Sequence, residues 1–228
     1  MLVVDQNEDD RLDRVLTRQP GLELDRLRAP VGLSRARNAA LSHLRGDVVA
    51  FPDDDCLYPD DLLERVAARL GADPGLDGLT GREPSWTRGA AALTRTNLWN
   101  RAISFTIFLR RRVVERVGAF DEALGLPSSS GEEIDYLIRA LDAGARIEYD
   151  PTIVVMHPPK HVKLEVVGER DGATIGYILR KHRYPARIVA RMLLRPIGGA
   201  VVDALRGDRR RARFHLSTLR GRIAGLRQ

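Results

Sequence analysis

The chain has one cysteine, Cys56, among 228 residues, so no disulfide forms within it and the fold can mature in a reducing compartment. A cytoplasmic setting is the expectation. No run of 18 apolar residues occurs, and no basic-then-apolar leader opens the sequence. Those absences predict neither a membrane span nor secretion by a classical signal. No internal repeat is visible, which excludes a solenoid or array. What is present is 43% apolar and 30% charged, enough to exclude full disorder and to build one α/β domain plus an appendage.

The charge is uneven. Residues 1–157 carry 20 basic against 26 acidic side chains, net −6, whereas residues 158–228 carry 17 against 5, net +12. Such a body suits metal or polar substrate through its carboxylates, and such a tail suits phosphate or anionic lipid.

Short apolar runs alternate with amphipathic stretches through residue 157, the pattern of strands and helices wound into a mostly parallel sheet. Leu2-Val3-Val4 reads as a buried strand ending in Asp5, followed by a helical turn at Leu12, Val15 and Leu16. Ser34 is positioned to cap a helix running to Leu44 and closed by Gly46. Val48-Val49-Ala50-Phe51 is the next strand, stopped by Pro52. Asp60 or Asp61 opens a helix that buries Leu62, Leu63, Val66 and Leu70. Ile103–Leu109 is read as a strand, Arg111–Val117 and Glu132–Leu141 as helices, and Ile153–Met156 as a last strand with His157 at its end.

In an open α/β sheet, ligands bind beyond the carboxyl ends of strands, where loops converge. Three predicted strands end in chemistry: Asp5, Asp53-Asp54-Asp55 and His157. Adjacent aspartates repel one another, so the triplet is costly unless a cation or donors neutralise it. Two carboxylates spaced D-x-D can hold a hard divalent ion; a solvated acidic turn capping the next helix is the other reading.

Two blocks then carry a resemblance. Gly32-Leu33-Ser34-Arg35-Ala36-Arg37-Asn38-Ala39-Ala40-Leu41, followed by Gly46-Asp47-Val48-Val49-Ala50-Phe51 and the aspartates, resembles the nucleotide-sugar half of family 2 glycosyltransferases with the GT-A fold. Val117-Gly118-Ala119-Phe120-Asp121-Glu122 and Gly131-Glu132-Glu133-Ile134-Asp135-Tyr136-Leu137-Ile138-Arg139 resemble the acceptor half, in family order. The resemblance implies a GT-A-like domain over 1–158 and a basic amphipathic helical tail over 159–228. It also implies a metal-dependent, inverting transfer from a nucleotide-diphospho-sugar to a glycan or lipid-linked acceptor in envelope polysaccharide synthesis.

By the same resemblance Asp53 and Asp55 hold Mg²⁺ or Mn²⁺, with Asp54 between them at the donor and His157 near the metal. Asp5 faces the nucleobase, and Arg37 and Asn38 lie close to the nucleotide. Glu133 aligns with the catalytic base, with Glu132 and Asp135 as the neighbouring alternatives. Independently, a base that accepts the attacking hydroxyl's proton contributes roughly 10²–10⁴ in rate, although glutamates in a first helical turn also simply favour the macrodipole. Trp86 and Trp99 could stack on a sugar or fill the core, and Cys56 is read as packing.

The family begins with a βα unit ahead of the Leu2 strand. Its absence predicts either a gap between the Leu2–Val4 and Val48–Phe51 strands or their direct pairing, with an open base pocket beside Asp5.

In the tail, residues 185–205 are apolar but interrupted by Arg187, Arg191, Arg195 and Asp203. Over 209–227, Leu216, Leu219, Ile223 and Leu226 recur at helical spacing among arginines. This predicts an interfacial helix on an anionic membrane surface through residues 185–228, peripherally held at the inner face, with an intramolecularly packed helix as the alternative. Phe214 is the tail helix's lone aromatic, and no nucleic-acid motif is present, so nucleic acid is not expected as a partner. A nucleotidyltransferase, which would need a Gly-rich phosphate loop near its start, and a non-catalytic GT-A-like binding protein are the alternatives to the transferase.

Overall fold

Leu2–Asp5 forms strand β1 and Asp25–Arg28 forms β2, paired in parallel from Leu2↔Asp25 to Asp5↔Arg28 with the single turn α1 (Asp13–Leu16) between them. The two strands are tied by charge at their ends. Arg26 of β2 donates to Asp5 at 2.5 Å and also pairs with Asp13 of α1. The computed structural model describes residues 1–18, 21–125, 130–158 and 164–228.

The chain folds as two units, Met1–Glu122 with Glu132–Pro159 and Ala123–Gly131 with Lys160–Gln228. The second unit therefore includes the segment 123–131 as well as the tail, and the expected boundary after residue 158 borders residues outside the described ones.

In the first unit, helix α2 (Leu33–Leu41) leads to β3 (Val48–Ala50), and α3 (Leu62–Ala72) to β4 (Gly78–Arg82). Strands β5 (Ala91–Ala92) and β6 (Phe108–Arg110) follow, then α4 (Arg111–Val117), α5 (Glu132–Asp142) and β7 (Ile147–Val154). The large sheet runs β3-β6-β4-β7-β5. Strands β3, β4 and β7 share a direction, while β6 is inserted antiparallel between β3 and β4, and β5 is antiparallel at the edge. No ladder joins β1 to β3 among the described residues, so the sheet divides there into two.

The core lies between α3 and this sheet. Leu62, Val66 and Leu70 pack on Leu76, Leu79, Phe105, Phe108, Ile153 and Val155. Leu63, expected on the buried face, is instead 59% exposed, because the helix turns that position away from the stripe at 62, 66 and 70.

Three local expectations change. Helix α2 starts two residues earlier than read, because Gly32 adopts φ 135 and accepts from Ala36 N, leaving Ser34 inside the helix and 1% exposed, and it ends at Leu41 with Ser42 as its cap and not at Leu44. The expected strand over 103–109 is interrupted by a 3-10 turn, Ser104–Thr106: Thr106 bonds back to Ile103 O through both its amide and its hydroxyl, withdrawing those groups from the ladder. The last strand is longer than read, Ile147–Val154, and carries Pro151 at a register shift opposite β4, where Arg82 Nε caps Pro151 O at 2.7 Å.

The second unit is built on helices α6 (Leu164–Lys181), α7 (Ala186–Leu205) and α8 (Arg209–Gly225). α8 buries Ser217, Thr218, Gly221, Arg222 and Gly225, not the leucine face read from its spacing, and Leu216 and Ile223 are exposed. Small residues win that face because α6 offers Gly168, Gly172 and Gly176 at matching four-residue intervals, so the two backbones meet directly. A Cβ on Gly172 would run into Thr218 O, and one on Gly221 into Glu169 O. The packed alternative thus describes α8.

Gly172→Val should lower the stability of the second unit by about 2 kcal/mol, through overpacking at that contact. Gly198→Ala in α7, with nothing within 4 Å of the new methyl, should raise it by about 0.5–1 kcal/mol. Thermal melts followed by circular dichroism check both signs.

Candidate active site

Pro52 ends β3, and a tight turn closed by Cys56 N donating to Asp53 O sets Asp53 and Asp55 on one side. His157, just past β7, completes a three-residue cluster whose ligand atoms all lie within 4.8 Å of one another. Its Nε2 is 3.0 Å from Asp55 Oδ1 and 3.9 Å from Asp53 Oδ2. The 3-10 turn orients both partners: the Phe105 ring stacks on the His157 imidazole at 4.9 Å between centroids, and Ser104 Oγ donates to Asp53 Oδ1 at 3.4 Å. Asp54, between the pair, is exposed and outside the cluster.

The second group of acids opens α5, where the N-terminal dipole favours negative charge. Glu132 is 3% exposed and receives Arg37 Nη1 at 2.8 Å. The same guanidinium places Nη2 3.8 Å from Asp53 Oδ1, so one cation spans the metal-type cluster and the α5 acids. Arg37 is itself 7% exposed and lies over the rings of Phe51 at 5.6 Å and Phe120 at 5.3 Å. Expected near the nucleotide, it bonds to Glu132 and lies beside Asp53 of the metal-type cluster.

Glu133 is half-buried, and its carboxyl is pushed up from the ordinary 4.5 to about 8. Loss of solvent is the main cause, followed by the negative charges of Glu132 and Asp53, with Arg37 pulling the other way. A carboxylate with that proton affinity is suited to general-base work near neutral pH. Asp135 differs: it is fully buried and bonded to Arg139 Nε at 3.0 Å one turn along α5.

The two remaining expectations fall on internal fasteners. Asp5 is 2% exposed. Its Oδ1 accepts from Asn7 N at 2.9 Å and its Oδ2 from Arg26, and together these hold its pKa down at about 2. A nucleobase would have to displace one of those donors to reach the carboxylate. Asn38 Oδ1 accepts from Phe120 N at 2.7 Å while Nδ2 donates to Phe120 O at 3.1 Å, so the amide pins α2 to the 120–122 segment and is spent within the protein.

The tryptophans are both half-buried, and Trp99 Nε1 donates to Arg95 O at 3.2 Å. Cys56 is half-buried against the core, and burial raises its thiol pKa. Ser104, Phe105, Phe51 and Phe120 were not legible as site residues, since none carries a motif of its own. Phe51 and Phe120 nevertheless lie inside the two blocks that carried the resemblance.

A family model described as glycosyl transferase family 2 matches residues 1–124. The chain belongs to that family. Among curated proteins it is 29% identical over 178 residues to the glycosyltransferase AglE of Haloferax volcanii, covering 70% of this chain and 57% of that protein. It is 28% identical over 145 residues to the pre-mycofactocin glycosyltransferase of Mycobacterium tuberculosis, covering 55% of this chain and 30% of that one. The chain thus spans little more than half of the first relative.

Among solved structures, the mannosyltransferase PcManGT from Pyrobaculum calidifontis, in complex with GDP-Man and Mn²⁺, superposes with a TM-score of 0.69 at 16% identity, covering 99% of this chain and 77% of that one. S. aureus TarS 1-349, in complex with UDP-GlcNAc, superposes at 0.57 with 18% identity, covering 95% and 81%. The fold is that of the GT-A glycosyltransferases, with a helical C-terminal region.

The family's divalent ion fits the residues present. Asp53, Asp55 and His157 converge their donor atoms, and a set of two carboxylates and one imidazole suits Mn²⁺ or Mg²⁺ with positions left for phosphate oxygen and water. Asp53→Asn and Asp55→Asn should each abolish Mn²⁺ binding, as read by titration calorimetry, and leave the fold intact.

The raised Glu133 pKa also has a stability consequence. The unfolded chain releases this proton near pH 4.5 while the folded chain holds it until about pH 8, so metal-free stability falls as pH rises between those values. Glu133→Gln should therefore melt with the unsubstituted protein at pH 4 and be the more stable of the two at pH 8.

Proposed function

We propose that this chain is a metal-dependent, inverting glycosyltransferase that moves a sugar from a nucleotide-diphospho-sugar to a hydroxyl of a glycan or lipid-linked acceptor. One observation carries the reading: Arg37 joins the Asp53–Asp55–His157 cluster to the Glu132–Glu133 pair, so leaving-group and base machinery occupy one site. Asp53, Asp55 and His157 would hold Mg²⁺ or Mn²⁺, which when bound offsets the charge of the departing diphosphate.

Glu133 takes the acceptor hydroxyl's proton as its oxygen attacks the anomeric carbon. The bond from that carbon to the diphosphate oxygen breaks, and the nucleoside diphosphate leaves from the opposite face. The negative charge of Glu132, which pairs with Arg37, raises the proton affinity of Glu133 next to it. PcManGT bound to GDP-Man with Mn²⁺ and TarS bound to UDP-GlcNAc support the donor class.

The acceptor class is supported by an apolar lip beside the metal-type cluster. Leu57 and Met156 are 63% and 57% exposed, and their backbones pair, Leu57 N donating to Met156 O at 2.8 Å. Exposed apolar pairs at a polar site fit an acceptor with an apolar portion.

Glu133→Gln should retain donor binding with the metal and lose turnover by roughly 10²–10⁴, because the amide cannot accept a proton. Donor binding by thermal shift, read alongside release of nucleoside diphosphate, separates the two effects. Full turnover in this variant would assign the base elsewhere, and metal-dependent binding without turnover in the unsubstituted chain would point to a binding protein.

A further inference from the structure

The sequence reading spread the membrane contact over residues 185–228, but within that stretch α8 spends its inner face on α6 and α7. The unpartnered apolar surface lies on α7. Leu194, Ile197, Val201 and Leu205 are 63%, 41%, 54% and 84% exposed, and their spacing of three and four residues sets them in one stripe along the helix. Val202, 45% exposed, widens it. Arg187, Arg191 and Arg195, also exposed and one turn apart, run along its border.

The rotation of α7 that aims this stripe outward is pinned from behind. Pro196, Ala200 and Asp203 are buried on the opposite face, and Asp203 Oδ2 lies 3.2 Å from His215 Nε2 of α8. Gly199 leaves room for the His215 ring, which a Cβ would meet at 2.7 Å. Arg222 of α8 also reaches across to the carbonyl of Met192. The exposure of the stripe is thus a property of a fixed helix pair.

We propose that α7 seats lengthwise on an anionic lipid bilayer, with Leu194, Ile197, Val201 and Leu205 in the acyl boundary and Arg187, Arg191 and Arg195 among the head groups. Charge selects this occupant. Residues 186–228 hold eleven arginines against two aspartates, so a second copy presenting the same face would be repelled, whereas an anionic surface attracts it. The apolar centre of the face distinguishes a bilayer from a polyanion such as nucleic acid, which offers no apolar phase. No helix among the described residues is long and apolar enough to cross a membrane, so the contact is in-plane.

The test is sedimentation of the full chain with vesicles of phosphatidylcholine alone and of phosphatidylcholine with phosphatidylglycerol, at low and high salt. The expected result is binding to the anionic vesicles only, weakened by salt. Leu194→Glu combined with Leu205→Glu should weaken it at least about tenfold. Arg187→Gln, Arg191→Gln and Arg195→Gln together should weaken it by on the order of a hundredfold at low salt. Helix content should stay unchanged, as should nucleotide-sugar binding, since none of these residues belongs to the active site. Equal sedimentation of both variants and the unsubstituted chain would overturn the proposal. So would a concentration-dependent dimer lost in Leu194→Glu, or binding of duplex DNA in place of vesicles.

Discussion

The active site depends on one buried guanidinium. Arg37 lies between two carboxylates from separate segments of the chain, Glu132 and Asp53, under two aromatic rings that keep water from it. A buried charge without a partner costs several kcal/mol, so this geometry depends on both acids staying in place. The arrangement in turn sets the chemistry next to it. Glu133 lies close to the charge of Glu132 and is short of solvent, and both raise its proton affinity.

Around that contact, several polar residues act as fasteners. Asn38 closes α2 onto the segment at Phe120, Arg26 closes β2 onto β1 through Asp5, and Ser104 and Phe105 orient the metal-type cluster from a turn that interrupts the expected strand. Each makes its contact inside the protein and holds a neighbouring segment in place. The helical unit follows a different rule. Glycines on α6 and α8 let two backbones touch, so close packing is achieved without large apolar side chains, and the apolar side chains of α7 are left on the outside.

Legibility in the sequence followed the strength of local pattern. Strands β1 and β3 were readable from runs of valine, helix α3 from Leu62, Val66 and Leu70, and α5 from its apolar face. β2, Asp25-Arg26-Leu27-Arg28, was not read: three of its four residues are charged, and it is a strand because Arg26 finds Asp5 and Asp13 across the fold. The antiparallel insertion of β6 was equally hidden, since neither period nor composition encodes strand direction. In the site, the acids and His157 stood at strand ends and helix starts, where sequence pattern has most to say. The partner of each did not, because Arg37 and Glu132 are 95 residues apart.

By itself the sequence determined the family blocks, the acid triplet, the glutamate pair and the segregation of charge into a basic tail. These depend on residue identity and neighbours within a few positions, which any chain conformation preserves. Only the tertiary structure decided the division among equals. Asp53 and Asp55 join His157 while Asp54 faces solvent; Glu133 carries the raised pKa while Glu132 pairs and Asp135 is sealed in; α7 and not α8 keeps its apolar face open. Burial and pairing across distant segments make those choices, and they exist only once the segments have met.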